Sequence, residues 1–401
     1  LPMPASTAAP PSNPATTTTT AATTTIEPPS SPQPPPLPHA HSTPKRRTKL
    51  ALCADVCAFC PSPSARRVLA AGAYELDEAA GVREGLIYLF DTSDDGLEEI
   101  CAPLPCAGVF ELLWGPGDGD GEGAASRLLL HAGADGSVNV FQLLEPLREG
   151  LQSLASAPPD PRRGFCLSAA WLHDGEASSS SRVASSYRSG CVATFAFAES
   201  ALVLEHEIAD AHALFGAPSE VWAVAQGPGA HQTWTGADDS LLKLWDLRSH
   251  GGSGRPALVA KDHGAGVCVI RPRPGAPHLL ATGSYDERVR LYDVRALERG
   301  PLSATAAADP TGGGCWRISW APGGRALAAA CMQGGCRVYE LGSDGAALAE
   351  VDSYDGHGSI AYGIDWRRDG SGALASCSFY DKELHSWSAS CTHLLKCAQE
   401  E

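Results

Sequence analysis

The stretch Ala281–Arg295, ATGSYDERVRLYDVR, holds two short apolar runs in period-2 alternation joined by a tight polar turn, with Tyr292 near the end of the second run. Alternation around such a turn specifies a β-hairpin with one buried face. The same pattern returns in Ala328–Leu341 (AAACMQGGCRVYEL) and Leu374–Ser388 (LASCSFYDKELHSWS). Working outward, an aromatic anchor recurs at Phe90, Phe141, Phe195, Trp245, Tyr292, Tyr339 and Trp387, with gaps of 51, 54, 50, 47, 47 and 48 residues. A self-similarity of that period means an array of one supersecondary unit.

Upstream of the hairpins lie further apolar strands closed by Pro or Gly turns, as in GCWRISWAPGG (Gly314–Gly324), AYGIDWRRDG (Ala361–Gly370) and EVWAVAQGPG (Glu220–Gly229). Three strands per repeat, with a more variable fourth in each linker, describe a β-propeller blade. Trp245-Asp246 is the dipeptide that names WD repeats, and His263 and His357 fall where a Gly-His pair opens such a repeat. The expected fold is all-β: a seven-bladed WD40 β-propeller. Closure of the ring requires an outer strand for the last blade. Thr48–Cys53 and Cys391–Cys397 are the two candidates, the N-terminal one being preferred.

Residues 1–47 are dominated by Pro, Thr, Ser and Ala. Such a stretch cannot bury enough apolar area to offset its ordering entropy, so 1–47 is expected to be a disordered leader and 48–401 the propeller. The cluster Lys45-Arg46-Arg47-Thr48-Lys49 reads as a solvated linker rather than a nuclear signal. The net charge of −16 argues against non-specific binding to nucleic acid, whose affinity comes from phosphate neutralisation. No run of 18 apolar residues suggests a membrane span. The 14 cysteines fall mostly within strand patterns and read as reduced, buried thiols of a cytoplasmic protein. Cys53, Cys57 and Cys60 have a spacing compatible with an iron–sulfur cluster, but alternation within one strand turns neighbouring side chains to opposite faces, so no metal is expected.

The last blade gathers His357, Ser376 or Ser378, Asp381 and Trp387, a set that invites a catalytic triad reading. A hydrogen-bonded scaffold within the blade is the better reading, since an Asp recurs at the same turn in other blades (Asp135, Asp239, Asp286). The residue before that turn is Tyr74, Ala134, Tyr187, Asp238, Tyr285, Met332 and Tyr380 in successive blades. Turns favour Gly, Asn, Asp and Ser, so tyrosines and a methionine there point to a binding rim on the top face. Trp316, Arg317, Tyr362 and Asp365 are expected on the same face. The substrate-binding candidates are therefore Tyr74, Tyr187, Asp238, Tyr285, Trp316, Met332, Tyr362 and Tyr380.

GGGCWRISWAP, AACMQGGCRVYEL, HGSIAYGIDW and CSFYDKELHSW, in that order, resemble the last two blades of the diphthine methyl ester hydrolase family, WD-repeat enzymes of diphthamide biosynthesis. The opening ADVCAFCP followed by LAAGAYEL resembles that family's first blade, with Cys57 and Phe59 departing from its usual pattern. The resemblance implies a carboxylic ester hydrolase that removes a methyl ester from methylated diphthine on elongation factor 2, and it implies no cofactor. A rim of aromatics would suit the trimethylammonium group of that substrate. Because no conventional nucleophile motif is present, the expected chemistry is attack by water, with His357 or His385 as base and Arg317 or backbone N–H groups polarising the carbonyl. The competing reading is a WD40 adaptor without catalytic activity: Leu244-Trp245-Asp246-Leu247-Arg248 and Tyr292-Asp293-Val294-Arg295 fit the box of substrate receptors for cullin–RING ubiquitin ligases.

Overall fold

The computed structural model describes residues 40–41, 44–93, 96–116, 124–173, 181–248, 255–295, 302–342 and 347–390. The described chain forms antiparallel sheets of four or five strands in sequence order, and these are seven propeller blades. Blade 1 spans 53–107, blade 2 109–157, blade 3 166–208, blade 4 223–260, blade 5 267–307, blade 6 317–354 and blade 7 361–388. The first strand of each blade neighbours those of the blades on either side, and the strand of blade 7 (Ala361–Trp366) neighbours that of blade 1 (Cys53–Phe59), closing a ring around a central channel.

All seven aromatic anchors lie on the third strand of their blades and are 6 % exposed or less. Period-2 alternation sends them into the layers between blades, where each fills a core cluster. A second set of tryptophans ties neighbouring blades together at the lower ends of the first strands. The indole N–H groups of Trp114 and Trp171 donate to the carbonyls of Ala58 (2.9 Å) and Leu113 (3.2 Å) on the preceding blade. Those of Trp320 and Trp366 donate likewise to Arg271 (2.9 Å) and Ser319 (3.2 Å). Each buried indole thus satisfies its donor while covering apolar area.

The ring closes with N-terminal residues, as preferred from the sequence, but the strand is Pro44–Lys49 rather than Thr48–Cys53. It pairs antiparallel with the last strand of blade 7, Arg47 opposite His385. Ala40–His41 adds a short parallel pairing to the outer strand of blade 6. Residues 44–47, expected in the leader, therefore belong to the propeller. The basic run that suggested a linker is an outer edge strand with Arg46, Arg47 and Lys49 exposed, and charged side chains on an edge hinder pairing with other chains. The rest of the expected leader, and the tail 391–401, lie outside the described residues.

Cys57 and Cys60 donate in different directions, Cys57 to Ala375 O in blade 7 and Cys60 to Ser126 O in blade 2 (both 3.5 Å). Strand alternation separates them as the pattern required. No helix among the described residues is long and apolar enough to cross a membrane.

Candidate functional site

Five of the seven first strands carry one extra residue near their upper ends. Register shifts mark Asp55, Phe110, Leu167, Cys268 and Tyr362 as the bulged residues of blades 1, 2, 3, 5 and 7. Trp222 and Trp316 stand at the equivalent step, one residue before the first paired residue of blades 4 and 6. A bulge re-aims a side chain and ends regular pairing. Repeated around a ring, it presents a crown of side chains to the mouth of the channel.

That crown is mostly aromatic, and its rings touch in an unbroken run. Phe165, at the entry to blade 3, lies 6.0 Å from Phe110, which lies 5.2 Å from Tyr74 of blade 1. Tyr74 meets Phe379 of blade 7 edge-on at 5.3 Å, and Phe379 meets Tyr362 at 5.1 Å. Tyr362 stacks on Trp316 at 5.0 Å. Trp316 reaches Tyr285 of blade 5 at 5.9 Å and Trp222 of blade 4 at 5.4 Å. Every blade contributes to the arc. Arginines cap one end, with Arg83 and Arg188 over the Phe165 ring at 4.7 and 5.2 Å. An acid closes the other, where Trp222 donates its indole N–H to Asp238 at 2.7 Å. Burial raises the Asp238 carboxyl above its usual range despite that bond.

Beneath the arc, Asp55 is the acidic member of the crown and is 1 % exposed. Its Oδ2 accepts from Arg317 Nη2 at 3.1 Å, while Oδ1 has no hydrogen-bond partner. Arg317 is shared: Nη1 donates to Glu111 at 2.6 Å, and Nη2 also donates to the Phe110 carbonyl. Glu111 in turn receives Arg271 at 3.2 Å and the Ser168 hydroxyl at 3.2 Å. Burial outweighs the single shared guanidinium and pushes the Asp55 carboxyl up to about 7. Below this network the channel widens into a cavity of about 660 Å³, lined by Glu111, Arg271, Arg317 and Asp365 among others, that opens on the opposite face.

Five of the eight expected binding residues stand in or against the aromatic arc: Tyr74, Tyr285, Trp316, Tyr362 and Tyr380, the last edge-on to Phe379 at 5.1 Å and 70 % exposed. Asp238 stands at its end. Met332 is close by but buried, its backbone in the left-handed region (φ 46°) and bridged to Ala361 of blade 7. Tyr187 does not reach the mouth. It is 1 % exposed, packs with Cys166 and Cys191 in the core, and its hydroxyl accepts from Ser185 at 2.9 Å.

The three residues expected to carry catalysis are placed elsewhere or already engaged. His357 Nε2 lies 2.7 Å from the Ser376 hydroxyl, which also accepts the Trp387 indole N–H at 3.0 Å. Blade 4 repeats the arrangement with His212, Thr235 and Trp245 at 2.7 and 2.8 Å and adds Asp239 at 2.9 Å from the imidazole. His263 and Thr282 do the same in blade 5 at 2.9 Å. This is the scaffold reading of the last blade, and it removes His357 from the mouth. Burial, then the neighbouring His385, holds the His357 imidazole down to about 3. His385 is fully buried between Tyr354 (2.6 Å) and Glu383 (2.8 Å). Arg317 lies below the arc with both terminal nitrogens committed to Asp55, Glu111 and the Phe110 carbonyl.

Trp222, Phe110, Phe165, Phe379 and Asp55 were not among the expected site residues. A signal existed: GVFELLW, EVWAVA, GCWRISW, AYGIDW and ADVCAF align at the upper end of the first strand. Setting the first strands in register, rather than only the hairpins, places Phe110, Trp222, Trp316, Tyr362 and Asp55 in one column.

No family model matches the chain. Curated relatives do. Mouse diphthine methyltransferase is 30 % identical over 348 residues, 79 % of this chain and 67 % of the mouse protein. The human protein of that name is 29 % identical, covering 79 % of this chain and 72 % of its own length. A homologue from Dictyostelium discoideum is 37 % identical over 171 residues, and the match spans 46 % of that protein. Among solved structures, a chain of the mitotic checkpoint complex superposes with a TM-score of 0.63 over 92 % of this chain and 98 % of its own, at 15 % identity, a likeness of fold alone. The relatives' names specify methyl transfer, so the expectation of a carboxylic ester hydrolase does not stand: the reaction class differs.

Proposed function

The chain belongs to the WD-repeat diphthine methyltransferase family and takes part in diphthamide biosynthesis, and on that premise we propose that its channel mouth holds the diphthine side chain of elongation factor 2 for a methyl-transfer step. The aromatic arc is the observation that carries this reading. A quaternary ammonium makes no conventional hydrogen bond and is held by aromatic faces and nearby negative charge. Trp316, Tyr362, Tyr285 and Trp222 supply the faces, with Asp238 at one end and Asp55 beneath. Within this reading Asp55 becomes the counter-charge once a cation binds, because its Oδ1 is uncommitted and a nearby positive charge favours its ionised form.

The direct test follows the mass of the modified-histidine peptide of elongation factor 2 before and after incubation with the protein, with and without a sulfonium methyl donor whose methyl group passes to the substrate. A gain of the mass of one methylene that requires the donor and is abolished in Trp316→Ala is the expected result. An elongation factor that neither changes nor binds sinks the reading.

A second reading, that of a cullin–RING ligase adaptor, draws on one observation. In both boxes the Arg folds back on its own Asp and remains exposed: Arg248 on Asp246 and Arg295 on Asp293, each at 2.7 Å. Capture of a ligase adaptor by wild type but not by Arg248→Ala/Arg295→Ala would favour it.

A further inference from the structure

The connection entering blade 4 carries a small hairpin of its own. Ala213–Leu214 pairs with Ala217–Pro218, Leu214 opposite Ala217, leaving Phe215 and Gly216 as a two-residue turn. Both turn residues have positive φ, 51° and 82°. A turn of that kind suits Asn-Gly and strains a large side chain at its first position. Phe215 is nevertheless fully exposed and Leu214 is 46 % exposed, in a segment, ALFGAP, without one charge. The base of the hairpin is firm. Ser219 N–H donates to the His212 carbonyl at 3.2 Å and His212 N–H to Gly190 at 3.3 Å, while the His212 imidazole is clamped by Asp239 and Thr235.

We propose that this hairpin is a docking prong, whose Phe215 inserts into an apolar pocket of the globular protein that presents its modified side chain to the channel mouth. The proposal rests on the function proposed above. Nothing among the described residues accounts for Phe215: its ring is fully exposed, and Asn would relieve the turn. Six residues separate it from Trp222 of the arc, and the intervening Glu220 holds Arg188, which lies over Phe165. The prong therefore stands at the rim of the same face, and a globular protein that reaches into the mouth must lie over it.

The test compares wild type, Phe215→Asn and Phe215→Leu on intact elongation factor 2 bearing the substrate residue. Phe215→Asn is chosen because Asn fits the turn, so its unfolding midpoint stays level or rises. Its KM is expected to rise roughly tenfold or more with kcat unchanged, as for loss of an aromatic anchor, and Phe215→Leu recovers part of the loss. An unchanged KM beside an active wild type overturns the prong alone, as does a fall in kcat at constant KM or a change confined to self-association in sedimentation. If wild type neither binds nor alters the elongation factor, the function proposed above falls, and the prong falls with it.

Discussion

Asp55 of blade 1 reaches across blade 7 to Arg317 of blade 6 at 3.1 Å and leaves its second oxygen bare beneath the aromatic arc. Arg317 is Asp55's cation but is shared with Glu111, which Arg271 also reaches. Burial pushes the Asp55 carboxyl up from 3.8 to about 7, against the pull of Arg317 and with the Glu111 charge adding to the rise. A folded-state value raised above the unfolded one favours folding where the group is protonated and is lost as pH rises between the two. Asp55→Asn should match wild type near pH 4 and gain on it progressively up to about pH 7, remaining level above. Urea unfolding of both proteins across that range reads the difference. A gap that does not change with pH overturns the assignment.

Trp316 sits at the branch of the arc, touching Tyr362, Tyr285 and Trp222. Trp316→Ala should weaken binding of tetramethylammonium by about 1–2 kcal/mol, the range for a partly desolvated cation–π contact. Trp316→Phe should lose less. Nuclear magnetic resonance titration measures both, and equal affinity in all three proteins removes the arc as a cation site.

Ser376 satisfies two buried groups at once, the Trp387 indole and the His357 imidazole. Ser376→Ala leaves both without a partner and should cost about 2–4 kcal/mol of stability, read as a lower urea midpoint. Tetramethylammonium affinity should not change, because the network lies within the blade. A loss of affinity without a loss of stability would return His357 to the site.

Burial holds His357 down to about 3, and His131 and His263 down to about 4. These imidazoles are neutral in the fold and protonate more readily in the unfolded chain, so they favour folding above pH 6.5, and that stability is lost as pH falls from 6.5 toward about 4. Replacing His263 by Gln should flatten part of that slope, measured by thermal unfolding at successive pH values. An unaltered slope would show that His263 takes up its proton equally in the folded and unfolded chains, against the depression by burial.

A chain begun at Leu50 lacks the outer strand of blade 7 and exposes the backbone edge of Glu383–Ser388. An unpaired edge of that kind recruits other strands. The shortened protein should melt earlier and self-associate in sedimentation, while a monomer of unchanged stability would show that the strand is dispensable.

The ring was legible because Phe90 through Trp387 repeat a constraint that every blade must meet: one large ring facing the interblade layer. The mouth was less so. Tyr74 and Tyr187 occupy the same place before the turn, yet one joins the arc and the other is buried. The difference lies in what covers them. The long connection into blade 4 folds back over blade 3, with Val221 N–H donating to the Tyr187 carbonyl, and a period-based reading carries no information about a loop of that length. Asp55 was overlooked for the opposite reason. Among Ala54, Val56 and Cys57 it reads as an interruption of a core strand, and only the bulge, visible in the pairing register, turns it toward the channel.

The strand Pro44–Lys49 also imposes an order in time. Its partner, Glu383–Ser388, is made only after the six intervening blades, and ordinary translation separates the two by on the order of tens of seconds. Through that interval the early strand waits unpaired while the intermediate blades are made, and the later strand must then find it. The repulsion among Arg46, Arg47 and Lys49 then protects a nascent chain as well as a finished one, keeping the waiting strand from pairing with its copy on a neighbouring ribosome.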